Sequence, residues 1–392
     1  MSYPVLKLKK GKESSILRFH PWVFSGALEK IPLNIKEGDI VNVVNSEDKV
    51  LGVGHYQPDS ITVRILSFDV EEIDESFYIR RINAALATRK AANIIQESLT
   101  NTYRLVFGEG DGLSGLIIDA YNNALVMQCH SAGMYKQRDV ITNALKKVFG
   151  SSIQTIYSKS AATVPFKAGL NAENELLYGN LTHTIIHEHS IAMNVNWEEG
   201  QKTGFFIDQR ENRAYLAKYS KGKKVLNCFG YTGGFSMYAL KAGATYAHTV
   251  DSSASAIKLS EENAQLNKFA NHKGIVSDVF DFIAHDNMDY DVIVVDPPAF
   301  AKHKGSLRNA LQGYQRLNAL VFSKVKSGSI IFTFSCSQVV SRADFSQAIY
   351  SAALQSKRNI RILEKLSQSA DHPVNIYHPE GDYLKGLILY IE

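Results

Sequence analysis

Residues 290–300 of the chain are YDVIVVDPPAF, and residues 330–337 are IIFTFSCS. Each stretch is a short apolar run that ends abruptly in polar residues, a pattern typical of a buried parallel strand. Such strands deliver side chains to the carboxyl edge of an open α/β sheet, where these sheets bind ligands. Asp296 and Cys336, at the ends of the two runs, are therefore the first candidates for chemistry.

The rest of the C-terminal half supports such a sheet. From about residue 191, strand-like and helix-like segments alternate, as they do in doubly wound folds. No helical segment separates the last two predicted strands, so we expect these two to pair antiparallel. The predicted strands are 224–227, 246–251, 274–278, 291–296, 329–334, 360–363 and 387–391.

The N-terminal half has a different pattern. Short alternating strands bounded by Gly, Asn and Asp come first and predict a small β-rich domain. A helical pattern at 75–98, strand-like segments around a helix at 135–149 and a hairpin near 181–196 then predict a small α+β domain. The predicted domains are 1–72, 73–190 and, for the Rossmann-like α/β part, 191–392.

Composition narrows the class of protein. The chain has 392 residues, of which 45% are hydrophobic and 21% charged, so more than one folded domain is expected. A formal charge of +4 permits a nucleic-acid partner without establishing one. Cys129, Cys228 and Cys336 fit neither a disulfide framework nor a zinc spacing, which favours a reducing cytoplasm. A charged N-terminus and the lack of a membrane-length apolar run argue against secretion and membrane insertion.

Two local patterns have both an ordinary and a functional interpretation. His187 and His189, with His183 nearby, would share a strand face, but no further ligand follows at a metal-binding spacing, so we expect a polar strand and no metal. Trp22 and Phe24 are more often packing residues than RNA contacts. Contact with RNA stays open for them because basic residues are close in sequence: Lys7, Lys9, Lys10, Lys12 and Arg18.

A glycine-bearing turn, NCFGYTGGFS at 227–236, follows the first strand of the predicted sheet. Its glycines, Gly230, Gly233 and Gly234, would let the backbone turn tightly and approach a ligand at a helix N-terminus. The spacing is neither G-x-G-x-x-G nor a P-loop, which disfavours a pyrophosphate ligand. Asp251, 21 positions past Gly230, is placed to bind a ribose.

Ribose binding without pyrophosphate binding suggests S-adenosylmethionine. The helix N-terminus could face its carboxylate, and Asp278 could meet the adenine amino group. Three carboxylates at strand ends behind such a turn strengthen this interpretation. From this pattern, the predicted cofactor residues are Asn227, Phe229, Tyr231, Thr232, Gly233, Asp251, Ser252, Asp278 and Asp296.

The Asp-Pro-Pro sequence predicts a rigid shelf, because both prolines fix φ and neither extends the strand. Such a shelf could hold a flat base while Phe300 stacks on it and Asp296 contacts its Watson-Crick edge. A basic segment follows, formed by Lys302, His303, Lys304 and Arg308. The predicted substrate-binding residues are Pro297, Pro298, Phe300 and Lys302.

Cys336 differs from the other cysteines, which we expect to be buried packing residues. It lies at the exit of its strand, where a thiolate could add to carbon 6 of a pyrimidine. Carbon 5 would then become the nucleophile that takes a methyl group. A base must afterwards remove the carbon 5 proton, and the thiol leaves.

Several segments together resemble the ribosomal RNA large subunit methyltransferase I family. They are 227–236, VDPPAF at 295–300, FTFSCS at 332–337, EGQKTGFFIDQREN at 199–212, ADHPVNIYHPEGDYLKG at 370–386, HPWVFSGAL at 20–28 and GEGDGLSGLIIDAY at 108–121. The resemblance covers most of the chain. It implies a PUA domain, a small α+β domain and a Rossmann-like methyltransferase domain, and formation of 5-methylcytosine in 23S ribosomal RNA with S-adenosylmethionine.

The resemblance also implies roles for individual residues. It makes Cys336 the nucleophile and Asp296 the group that orients cytosine and steadies its ring nitrogen. At the cofactor edge it adds Lys202, Phe206, Asp208 and Arg210, with Phe206 near the sulfonium and Arg210 near a carboxylate. Many RNA 5-methylcytosine enzymes carry a second Cys after the motif's proline, whereas this chain has Ala299. The group that removes the carbon 5 proton is therefore not identified.

Two other functions stay open. Asp-Pro-Pro followed by an aromatic residue also resembles the shelf of RNA N-methyltransferases that act on an exocyclic amine. A noncatalytic ribosome-assembly protein could bind RNA through the same basic segments and keep the cofactor pocket. The target nucleotide, the state of the RNA (naked or in a large-subunit precursor) and the oligomeric state also stay open.

Overall fold

The computed structural model of the chain describes residues 3–96, 99–165, 169–181, 184–301 and 303–392. Contacts divide the chain into two units. The first unit is Met1–Ile186, Val195–Ile207 and Ala370–Gly381, and the second is His187–Asn194, Asp208–Ser369 and Asp382–Glu392. Within the described ranges, no helix is long and apolar enough to cross a membrane. The domain boundaries at residues 72 and 190 stay predictions.

The first sheet of the first unit has five strands in the order β1-β3-β4-β5-β2. Most of its β-branched residues are buried, and Val41, Val43 and Val63 are completely buried. The predicted β-rich character of this region is confirmed. The elements are β1 Val5–Lys7, α1 Ser14–Leu17, β2 Trp22–Phe24, β3 Ile40–Val44, β4 Val50–Tyr56 and β5 Ile61–Ser67.

A second five-stranded sheet follows in the same unit, in the order β10-β9-β8-β7-β6. The helix predicted over 135–149 is divided at Gln137, so Tyr135 lies in a short separate helix whose N-cap is Ser131. The elements are α2 Glu75–Ala91, β6 Thr102–Phe107, β7 Leu116–Tyr121, β8 Ala124–Cys129, α3 Ala132–Lys136, α4 Arg138–Phe149, β9 Thr155–Lys159 and β10 Asn174–Gly179.

The predicted hairpin is confirmed as a two-stranded sheet of β11 (Thr184–Glu188) and β12 (Ile191–Val195). Its turn is formed by His189 and Ser190, with φ angles of 47° and 61°. His189 is therefore a turn residue and not a strand residue. The metal hypothesis required His187 and His189 to share one strand face, and a turn residue cannot do so.

The second unit is organised by a seven-stranded sheet in the order β15-β14-β13-β16-β17-β19-β18. The first five strands in this order, β15, β14, β13, β16 and β17, are parallel to one another. β19 runs antiparallel to both β17 and β18, as the sequence predicted for the last two strands. The strands are β13 Lys224–Cys228, β14 Tyr246–Asp251, β15 His272–Val276, β16 Val292–Val295, β17 Ile330–Ser335, β18 Ile360–Leu366 and β19 Lys385–Ile391.

Helices separate the parallel strands and supply the layers that bury them. All four residues of β16 are at most 1% exposed, which explains why this strand is a continuous apolar run. The helices are α5 Arg210–Ser220, α6 Gly234–Lys241, α7 Ala254–Leu266, α8 Val279–His285, α9 Leu307–Lys324 and α10 Arg342–Ser356. This is the predicted Rossmann-like architecture.

Candidate active site

The carboxyl ends of β13 and β16 lie side by side at the centre of the sheet. Cys228 pairs with Val295 in this parallel register, so the segments after both strands leave from the same level. The strand order reverses between these two strands, and such a switch point opens a crevice in doubly wound sheets. The glycine-bearing turn and Asp296 therefore border one crevice.

The turn after β13 has an unusual backbone. Phe229, Tyr231 and Gly233 have positive φ angles of 56°, 47° and 80°. A Cβ atom at Gly230 would lie 2.4 Å from Thr249 Cγ2, so only glycine fits there. Positive φ at two residues with side chains is rare and is commonly found where backbone contacts a ligand.

Asp251 braces this turn. Its Oδ2 accepts a hydrogen bond from the Tyr231 backbone N–H at 2.9 Å, and its Oδ1 accepts one from the Ser253 N–H at 2.9 Å. The residue is half-buried, while Ser252 is exposed. Each carboxylate oxygen has a second lone pair, so the same side chain can accept from a ribose hydroxyl.

The sequence predicted that Asp278 ends a strand, and this prediction is wrong. β15 ends at Val276, and Asp278 is the N-cap of α8, where its Oδ1 accepts from the backbone N–H groups of Phe280 and Asp281. The cap fixes the exposed side chain at the edge of the sheet. Its role toward an adenine stays a prediction.

Asn227 and Asp208 each have a buried oxygen without a hydrogen-bond partner among the described residues. Asn227 Nδ2 donates to Ser236 Oγ at 3.2 Å, but its Oδ1 has no donor. Asp208 Oδ2 accepts from Tyr383 Oη at 2.5 Å, while its Oδ1 has no donor. Unsatisfied buried acceptors are costly, so both sites favour a ligand that brings N–H groups or positive charge. Thr232 is buried and its carbonyl accepts from Asn263 Nδ2 at 3.0 Å.

Arg210 lies in a buried cluster around Glu188. Arg213 donates to both carboxylate oxygens of Glu188 at 2.8 Å, and Tyr238 Oη donates to Oε1 at 2.9 Å. Arg210 Nε is 3.4 Å from Glu188 Oε2. Glu188, which looked like an ordinary strand residue, thus positions Arg210. Contact between Arg210 and a cofactor stays a prediction.

Lys202 and Phe206, the other two cofactor residues predicted from the segment 199–212, belong to the first unit. Lys202 is exposed, and its carbonyl accepts a hydrogen bond from Gln128 Nε2 at 3.2 Å. Phe206 is half-buried. Their predicted places at the cofactor stay predictions.

Asp296 is held by an amide that the sequence analysis did not identify. Gln209 Nε2 donates to Asp296 Oδ2 at 2.9 Å, and Gln209 Oε1 accepts from Asn212 Nδ2 at 2.6 Å. Burial of the carboxyl group and then the nearby charge of Asp208 raise the pKa of Asp296 to about 7, against the opposing effect of Gln209. Asp296 can therefore carry a proton near neutral pH.

Cys336 meets the Asp-Pro-Pro segment. β16 and β17 are adjacent parallel strands, and Cys336 Sγ lies 3.9 Å from the Pro297 carbonyl oxygen. Ser337 Oγ donates to the Ala301 carbonyl at 2.7 Å and joins the two segments again. Cys336 is half-buried and therefore partly accessible.

The other two cysteines have the buried positions that the sequence predicted. Burial raises the pKa of the Cys129 thiol to about 12 and also raises the pKa of the Cys228 thiol. Both are therefore protonated at neutral pH and poor nucleophiles.

The shelf has one buried and one exposed proline, Pro297 and Pro298. The half-buried ring of Phe300 packs at a centroid distance of 4.7 Å against Tyr314 of α9, a residue that the sequence analysis did not identify. The Phe300 ring is therefore held by packing against α9. Lys302 lies outside the described residues, as does His183.

Side chains that can ligate a metal meet elsewhere, in the first unit. His20 Nε2 is 3.5 Å from Glu380 Oε1, and His378 Nε2 is 3.7 Å from Glu380 Oε2. We refer to these three residues as the histidine–glutamate group. Trp22 packs on His378 at a centroid distance of 4.4 Å and donates its indole N–H to Glu109, while Phe24 is 46% exposed. Packing thus explains Trp22 better than Phe24.

Comparison with known proteins identifies two domain families in the chain. Residues 6–68 match a PUA-like domain family, and residues 167–371 match a family of S-adenosylmethionine-dependent methyltransferases. An Aeromonas hydrophila protein named Ribosomal RNA large subunit methyltransferase I is 41% identical over 97% of this chain and 98% of its own. A Vibrio vulnificus protein of the same name is 38% identical, with 97% of each chain covered.

Solved structures agree with this assignment. A protein assigned as a methyltransferase and solved in complex with SAH is 25% identical, with a TM-score of 0.84 over 99% of this chain and 100% of its own. A methyltransferase structure from Streptococcus mutans is 24% identical, with a TM-score of 0.83 over 98% and 99% of the two chains, and supports the fold.

S-adenosylmethionine is the cofactor of the matched domain, and the sheet edge fits it. The turn at 229–233 exposes backbone for close approach. The unsatisfied oxygens of Asn227 and Asp208 suit the ammonium and sulfonium groups of this ligand.

Proposed function

The chain belongs to the ribosomal RNA large subunit methyltransferase I family, and we propose that it methylates carbon 5 of a cytosine in large-subunit (23S) ribosomal RNA. The observation that carries the proposal is the approach of a partly accessible thiol to the base-binding shelf, with Cys336 Sγ 3.9 Å from the Pro297 carbonyl. A thiol at this place is required for attack on carbon 6 and serves no purpose in methylation of an exocyclic amine.

Asn227, Asp208, Asp251 and the turn at 229–233 would hold S-adenosylmethionine, which supplies the methyl group when bound. Arg210, Ser252 and Asp278 would complete this site. Glu188 would contribute indirectly, because it neutralises Arg213 and holds Arg210 in place.

Pro297, Pro298 and Phe300 would hold the target cytosine after it has left the base stack. The packing of Phe300 on Tyr314 supports this role, because a fixed ring loses little entropy when a base stacks on it. The PUA-like domain would bind the surrounding RNA.

Asp296 would donate a proton to ring nitrogen 3 of the cytosine while Cys336 attacks carbon 6. The sulfur–carbon bond forms, the electron pair of the 5,6 double bond moves to carbon 5, and the proton on nitrogen 3 keeps the ring neutral. A pKa of about 7 for Asp296 supports this role, since a carboxyl with an ordinary pKa would hold almost no proton at neutral pH.

After methylation, carbon 5 carries both the new methyl group and its original proton. Loss of that proton restores the 5,6 double bond as the bond between Cys336 sulfur and carbon 6 breaks, and nitrogen 3 returns its proton to the Asp296 carboxylate. Because Ala299 replaces the second cysteine of related enzymes, a group other than a cysteine at this position must accept this proton.

The test is to incubate the protein with labelled S-adenosylmethionine and unmodified large-subunit ribosomal RNA, both naked and in precursor particles. The RNA is then digested to nucleosides and analysed by mass spectrometry. We expect label in 5-methylcytidine, with Cys336→Ala inactive and the buried-thiol control Cys228→Ala active. Label in an N-methylated nucleoside would establish the rival reaction, and no label in any RNA state would favour a binding protein.

A further inference from the structure

Lys385 is a buried cation beside the segment that carries Cys336. It is the first residue of β19, is 3% exposed and pairs with Ser335, the last residue of β17, in antiparallel register. Its Nζ donates to the carbonyl oxygens of Ser337 and Tyr383, both at 2.6 Å. The amine is therefore held between the segment that carries the thiol and the segment that leads into β19.

This environment does not neutralise the amine. Among the described side chains, no carboxylate lies within ion-pair distance of Lys385 Nζ, and a buried cation without an anion is costly. Burial lowers the pKa of Lys385 to about 8, Asp382 and Cys336 oppose this shift, and Arg342 adds to it. Lys385 is therefore mainly an ammonium at pH 7 and loses its charge as the pH rises through about 8.

The influence of Cys336 on Lys385 has a reciprocal consequence. A thiolate at Cys336 favours the protonated amine of Lys385, so the protonated amine must favour the thiolate by the same free energy. A structural role alone would be served by any side chain that donates to the two carbonyls.

We propose that Lys385 is the positioning residue that prepares Cys336 for attack, holding the 335–337 segment through the Ser337 carbonyl and stabilising its thiolate by charge. The thiol gives up its proton to solvent, and the sulfur keeps the electron pair that later forms the bond to carbon 6. This inference rests on the proposed function, because it assumes that Cys336 is the nucleophile.

The inference is tested without RNA, by the rate at which iodoacetamide alkylates Cys336 as a function of pH. Sulfur displaces iodide only as the thiolate, so the midpoint of the profile reports thiol ionisation. Peptide mass spectrometry assigns the reaction to Cys336. The variants are Lys385→Gln, which keeps two N–H donors without charge, and Lys385→Arg, which keeps the charge.

We expect Lys385→Gln to move the midpoint up by about one pH unit or more, so that alkylation at pH 7 falls about tenfold. Lys385→Arg should stay close to wild type, and Lys365→Met, a change at an exposed lysine of β18, should not move the midpoint. Unchanged cofactor binding would show that each variant is folded.

An unmoved midpoint in a folded Lys385→Gln protein would overturn the inference and leave Lys385 a packing residue. The alkylation profile is measured without methyl transfer, so failure of this inference can be distinguished from failure of the proposed function. If Cys336→Ala retained methyl transfer, the proposed function would fail whatever the alkylation profiles showed.

Discussion

Replacing Gln209 by Leu should change the pH dependence of methyl transfer, because it removes the amide that donates to Asp296 at 2.9 Å. The Gln209 bond stabilises the carboxylate form, and hydrogen bonds to charged groups contribute about 1.5–3 kcal/mol. One pKa unit corresponds to about 1.4 kcal/mol, so the pKa of Asp296 should rise by about 1–2 units. From about 7 in the wild type, it should reach about 8–9.

The direction of the effect follows from the proposed role of Asp296. If the protonated form donates to the cytosine ring, kcat/KM of the wild type should fall as pH rises above about 7. In Gln209→Leu this alkaline limb should move up by about 1–2 pH units, so the variant should be less inhibited at pH 8.

The assay is kcat/KM for labelled methyl transfer between pH 5.5 and about 9.5, with thiol activation followed separately by alkylation. Gln315→Leu is the matched control, since Gln315 contacts Gln355 and not Asp296. An alkaline limb in the same place for both proteins would refute the assigned role of Asp296. Movement of the acid limb instead would mean that the carboxylate is the active form.

Three other predictions concern stability, cofactor binding and metal content. Glu188→Gln should cost about 3–5 kcal/mol in urea unfolding because it leaves the two buried arginines without their anion, and a cost below about 1 kcal/mol would contradict the buried ion-pair description. Gly230→Ala should weaken cofactor binding in calorimetry at least about tenfold, since its Cβ would lie 2.4 Å from Thr249 Cγ2. Gly26→Ala is the control, because a Cβ there has open space, and it should bind the cofactor normally. Equal affinities of the two variants would show that the turn is not part of the site. The sequence predicts no metal, so elemental analysis of purified protein should find far less than one ion per chain; a stoichiometric ion lost in a Glu380→Gln variant would instead identify the histidine–glutamate group as its site.

The sequence predicted the features whose signals are local. The apolar runs ending in Asp-Pro-Pro and Ser-Cys-Ser predicted two strand ends, and the structure has them as the adjacent strands β16 and β17. The antiparallel pairing of β18 and β19 followed from the missing helix between them. These predictions needed only the period of the pattern and the chemistry of proline.

The residues that it missed depend on burial and on partners far away in sequence. Lys385 is an ordinary lysine in GDYLKG until β19 pairs with β17 and buries it. Glu188 and Gln209 likewise look like surface residues, because their partners in the fold cannot be read from neighbouring positions.

Two local signals could have been used better. Asp278 precedes VFDF, and an aspartate before a helical segment is a common N-cap. This signal predicts that the strand before it ends ahead of Asp278, as the structure shows. His189-Ser190 lies between two apolar alternations and marks a turn, so His187 and His189 should not have been assigned to one strand.

The central claim is a covalent bond between Cys336 and carbon 6 of a cytosine, and 5-fluorocytidine in the target RNA tests it directly. Fluorine at carbon 5 cannot be lost as a proton, so the enzyme should remain attached to the RNA after methyl transfer. Wild-type protein and Cys228→Ala should form an adduct that survives denaturation, with the RNA linked to the Cys336 peptide, and Cys336→Ala should form none while still binding cofactor. Full methyl transfer by Cys336→Ala, or an adduct at another residue, would contradict the account.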